Sequence, residues 1–90
     1  MIQCESIEKL STRLNIIDFQ MKIIMDGEKY DVYFQFDTFQ DTTDSIINEL
    51  EKELEITLHN REFCLSTMRH LVRCARITKW ELLINMNSNV

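Results

Sequence analysis

Ninety residues make one domain with a single modest core and leave no room for a catalytic lobe beside it. With 44% hydrophobic and 28% charged residues, one glycine and no proline, the composition excludes a linker or a disordered tail. A net charge of −5 disfavours nucleic acid and anionic membrane surfaces, both of which call for a basic face, and favours a neutral or basic partner.

In chain order, Met1–Arg13 is the least determined segment. Ile2, Ile7 and Leu10 line one side of a short helix, with Glu5, Glu8 and Lys9 solvated. In a longer protein, residues 1–13 would be an N-terminal extension or the end of a linker. The domain proper is expected over 14–86, with 87–90 fraying. Leu14–Met25 reads as a strand, because Phe19, Met21, Ile23 and Met25 alternate with Asp18, Gln20 and Lys22. Asp26-Gly27 supplies the left-handed positions of a tight hairpin turn. Tyr30–Asp37 is the returning strand: Tyr30, Val32, Phe34 and Phe36 fall on one side, and Asp31, Tyr33, Gln35 and Asp37 on the other.

The period then changes. Ile46, Ile47, Leu50 and Leu54 recur at helical spacing, which predicts a helix over 43–55 with Asp41, Thr42 or Thr43 at its cap. Asn48, Glu51, Lys52 and Glu55 are its outward positions. After a break at Ile56-Thr57, a second helix runs over 58–75. Its stripe is Cys64, Leu65, Met68, Leu71, Val72 and Ala75, and Arg61, Arg69, Arg73 and Arg76 lie mostly off it. Over 77–86 two patterns compete. Trp80, Leu82, Ile84 and Met86 alternate as a strand would, whereas Leu82, Leu83 and Met86 continue the helix stripe. The fold class is α+β: an antiparallel hairpin, with a third strand if 77–86 is one, packed against two helices.

No motif carries catalysis. The chain lacks a glycine-rich phosphate loop, a nucleophile elbow and a kinase signature set, and nowhere are base, nucleophile and orienting partner implied together. Cys4, Cys64 and Cys74 are odd in number and unclustered, and His59 and His70 sit beside no cysteine pair at zinc-ligand spacing. With no signal peptide and no long apolar run, this reads as a reduced cytoplasmic protein. Its thiols would be packing residues, and it would need no metal, disulfide or cofactor.

The sharper signal is for binding. On a helical wheel Thr42, Glu49 and Glu53 flank the stripe made by Ile46, Leu50 and Leu54. Carboxylates along the margin of an apolar seam make a groove with an acidic rim, provided the second strand leaves that margin uncovered. Its floor would be Phe34, Phe36, Ile46 and Leu50. Such a groove suits a cation beside a large apolar side chain, and arginine above lysine, since its planar fork can bond a carboxylate bidentately.

The run F-x-F-D-x-x-x-D-T-x-x-x-I-x-x-E-L, carried by Phe34, Phe36, Asp37, Asp41, Thr42, Ile46, Glu49 and Leu50, resembles the small conserved C-terminal (CCT) module of SPAK-type kinases. It also resembles the related autoinhibitory domain that follows the kinase in the with-no-lysine (WNK) family, most of all the plant-type version. The resemblance implies a non-catalytic module of kinase regulation, monomeric and cytoplasmic. Such a module binds an Arg-Phe-x-Val or Arg-Phe-x-Ile motif in a partner protein or in the parent kinase chain. It further implies that Asp41 and Glu49 take the arginine, that Phe34, Ile46 and Leu50 take the phenylalanine, and that a strand follows the second helix. The chain departs from the family at Phe39, and over Glu51–Ile56 it is longer and more acidic than the SPAK-type modules, as the plant-type WNK version is. A different class also fits a hairpin followed by a helix: a homotypic, ubiquitin-like assembly domain that pairs through an exposed sheet edge.

Overall fold

The structure is a computed structural model that describes the backbone of residues 1–88 and the side chains of residues 1–75. It has three strands and two helices: β1 (Ile2–Arg13), β2 (Ile16–Met25), β3 (Glu28–Asp37), α1 (Thr43–Leu54) and α2 (Arg61–Ser88). The strands form one antiparallel sheet in the order β1-β2-β3. The expected α+β class is what the backbone shows.

The Asp26-Gly27 hairpin forms as its chemistry requires. Asp26 has φ 53° and Gly27 φ 79°, and Met25 pairs with Glu28 across the two-residue turn. β2 and β3 then run in unbroken register, Phe19 opposite Phe34 and Ile17 opposite Phe36. The Phe19 ring stacks on Phe34 at 5.5 Å and meets Phe36 edge-on at 6.4 Å.

Two expectations are corrected. First, the segment of Ile2, Ile7 and Leu10 is not a short helix but edge strand β1. Register shifts between Cys4 and Ser6 and between Lys9 and Ser11 insert extra residues, so Cys4 faces Ile23 while Ile7 faces Met21. A bulge turns a two-residue period into a three-residue step, and that step imitates a helix. Second, the third strand of the sheet is this one. Residues 77–86 continue α2 as a helix, the other pattern the sequence allowed.

The core lies between one sheet face and the helices. Ile17, Phe19 and Met21 from β2, Phe36 from β3, Ile47 from α1, and Cys64, Leu65 and Met68 from α2 are its most buried side chains. Cys4 and Cys64 are packing residues, as expected. The neighbouring Cys64 thiol, together with burial, pushes the Cys4 thiol well above the ordinary thiol range, so it stays protonated. Cys74 departs from the expectation: it is exposed, its sulfur 3.6 Å from His70 Nε2.

Candidate functional site

α1 starts where the loop chemistry puts it. Thr42 is the cap: its hydroxyl accepts from Ser45 N–H at 3.1 Å, and Ser45 Oγ accepts from Thr42 N–H at 3.0 Å. The loop before it is closed by aspartates. Asp41 Oδ2 accepts from Asp37 N–H at 2.8 Å, and the Asp37 carbonyl accepts from Gln40 N–H and Asp41 N–H. Asp37 Oδ1 accepts from Phe39 N–H and from the Asn15 side chain. The Phe39 N–H foremost, and Asn15 with it, hold the Asp37 carboxyl below its ordinary range. Phe39 itself is 80% exposed.

At its far end α1 is held against α2 by a polar clamp that the helical wheel assigned to solvent. Glu51 accepts from Leu58 N–H at 2.9 Å and from Arg61 Nε at 3.0 Å, and Arg61 also bonds Asn48. This clamp fixes the roll of α1. Ile46 and Ile47 point into the core, Leu50 is half-buried, and Glu49, Glu53 and Leu54 stay exposed.

On β3 burial fades along the core face. Phe36 is buried, Phe34 and Val32 are half-buried, and Tyr30 is exposed. Between this uncovered part of β3 and α1 lies a cleft of about 190 Å³, lined by Phe34, Gln35, Ile46, Glu49, Leu50 and Glu53. Five of the eight residues singled out from the sequence meet here. Phe34, Ile46 and Leu50 form the floor, and Glu49 and Glu53 the rim. Gln35 was not foreseen, because it belongs to the opposite face of the strand, where its side chain donates to Asp18.

Phe36, Asp41 and Thr42, the other three, line a separate cleft of about 330 Å³ with Thr43, Arg69, Val72 and Arg73. Asp41 and Glu49 therefore do not line one cavity, and the Asp41 carboxylate is engaged by the Asp37 main chain. A third and larger cleft, about 380 Å³, includes Leu10, Ser11, Asp18, Tyr33 and Gln35. Its carboxylate is already satisfied: Asp18 accepts from Ser11 and Gln35 and pairs with Arg13 at 3.6 Å, and the Ser11 hydroxyl foremost keeps its carboxyl below the ordinary range. The smaller cleft is the better candidate. There, two acidic side chains have no hydrogen-bond or ion-pair partner among the described residues and stand beside half-buried apolar ones.

Among the described residues no group of three or more His, Cys, Asp or Glu is placed to hold a metal ion. None of their helices is long and apolar enough to cross a membrane. Comparison with protein-family models, with curated proteins and with solved structures finds no significant match to the chain.

Proposed function

We propose that this domain is a non-catalytic, cytoplasmic peptide-binding module, and that the cleft between β3 and α1 takes a basic-aromatic segment of the Arg-Phe-x-Val/Ile kind. The carrying observation is the pairing of an apolar floor, Phe34, Ile46 and Leu50, with two rim carboxylates, Glu49 and Glu53, that have no partner among the described residues. A floor of this size accepts one large apolar side chain, and the rim accepts one cation. The likeness of Phe34–Leu50 to the kinase-regulatory modules supports the same reading and suggests a regulated kinase as the setting. Of the carboxylates that the resemblance assigns to the arginine, only Glu49 lines this cleft. Glu53 therefore replaces Asp41 in the proposal.

Few ligand side chains are anchored, so the expected affinity is micromolar, about −8 kcal/mol. It should fall with added salt, because the rim is open to solvent. Fluorescence anisotropy with a labelled Arg-Arg-Phe-x-Val peptide tests this. Glu49→Gln and Glu53→Gln should each weaken binding severalfold with the fold intact, while Asp41→Ala should leave the affinity unchanged. Equal affinity for a peptide with both arginines replaced by alanine would reject the cation site.

A further inference from the structure

The register of the sheet decides which main-chain groups face outward. Met25 and Glu28 close a two-residue hairpin, so they exchange both hydrogen bonds, and so does every second pair after them. On β3 the even-numbered residues therefore bond to β2. The odd-numbered ones, Lys29, Asp31, Tyr33, Gln35 and Asp37, turn N–H and C=O away from it. Three independent contacts agree with this parity. The outward groups of Asp37 are met by Asp41 and Gln40. Carried across β2, the same parity turns Ile2 and Cys4 outward on β1. There Ile2 O accepts from His59 N–H at 2.8 Å, and Asn60 bonds both Cys4 N–H and Cys4 C=O, at 2.9 and 2.8 Å.

Four outward residues on β3 remain, Lys29, Asp31, Tyr33 and Gln35. Among the described residues nothing bonds their main-chain groups. They span roughly 20 Å of regular, unbulged strand. This row reaches the candidate cleft at Gln35. With its side chain drawn to Asp18 on the other face, Gln35 offers the cleft its main chain.

We infer that the occupant of the cleft binds as a fourth strand on β3, pairing with the outward N–H and C=O groups of Asp31, Tyr33 and Gln35 while alternate side chains enter the cleft under α1. This rests on the peptide-binding reading and adds its mode and its spacing rule. Charge argues for a cationic segment over a second copy of this chain. Each copy of this chain carries a net charge of −5, so a second copy is repelled where a basic segment is attracted. A basic segment meets Glu49 and Glu53 with the opposite sign.

Strand geometry then constrains the motif. Successive side chains point to opposite faces. A cation on the Glu49–Glu53 rim and an apolar side chain on the Phe34–Leu50 floor must therefore lie two residues apart. In Arg-Arg-Phe-x-Val the first arginine, the phenylalanine and the valine share the cleft side, and the second arginine faces away.

That peptide is the probe, titrated against the full chain. Replacing its first arginine with alanine should weaken binding about tenfold, and replacing the second should change it less than threefold. N-methylation of every second backbone amide, those facing β3, should abolish binding, and methylation of the intervening amides should leave it. A peptide that binds but tolerates methylation at every position, or that depends on the second arginine, overturns strand addition and leaves the cleft reading standing. A peptide that fails to bind at millimolar concentration overturns both. Concentration-dependent dimerisation through β3 that the peptide cannot displace would assign the edge to a second copy instead.

Discussion

On β1 the outward main-chain groups are taken: Asn60 clamps Cys4, His59 bonds Ile2, and two bulges break the strand's regularity. On β3, in the same sheet, four consecutive outward residues have no such cover among the described residues, and the strand is regular. Natural proteins blunt sheet edges with bulges, charges, prolines or covering loops. This fold protects one edge by two of these devices and leaves the other with only its charged side chains. The difference places the adaptable surface beside the acid-rimmed cleft and the rigid one under the helix connection.

Hydrogen exchange probes the contrast directly and should give the largest effect. The Cys4 amide and the inward amides of Val32 and Phe34 should be protected at least about a hundredfold more than those of Asp31, Tyr33 and Gln35. Equal protection on both edges would mean that β3 is covered too. Asn60→Ala comes next. It strands the Cys4 N–H and C=O beside the core and should cost about 2 kcal/mol in denaturant unfolding, whereas Gln35→Ala on the open edge should stay within about 0.5 kcal/mol. A third variant, Thr42→Ala, removes half of the capping box and should cost about 1 kcal/mol, without changing exchange at either sheet edge.

The smallest effect expected is with pH. The folded Asp37 carboxyl titrates below its ordinary value of 3.8, because Phe39 N–H and Asn15 bond its charged form. Its contribution is complete above that ordinary value and disappears as pH falls through the lower folded one. Unfolding curves of the wild type and Asp37→Asn should therefore separate above about pH 4 and converge in stronger acid.

Much of this was legible in the sequence where local chemistry is strong. Asp26-Gly27, the alternation of Phe19 to Met25 and of Tyr30 to Phe36, and the stripe Ile46, Ile47, Leu50 each follow from one rule. β1 was not legible, because its bulges convert alternation into helical spacing and its turn places Leu14, φ 53°, where glycine or asparagine would have signalled it. The floor and rim of the cleft were readable from the wheel. The separation of Asp41 from Glu49 was not, since it depends on Asp41 bonding the Asp37 main chain. Nor could local pattern reveal the cover of β1, because Asn60 and Cys4 are 56 residues apart.

The most direct test of the account is an amide-shift titration of the isotope-labelled domain with Arg-Arg-Phe-x-Val. It predicts saturable shifts at Tyr33 to Gln35 and at Ile46 to Glu53, lost when both peptide arginines become alanine. Shifts confined to the cleft of Asp41, Arg69 and Arg73, or the same shifts with the arginine-free control, would contradict it.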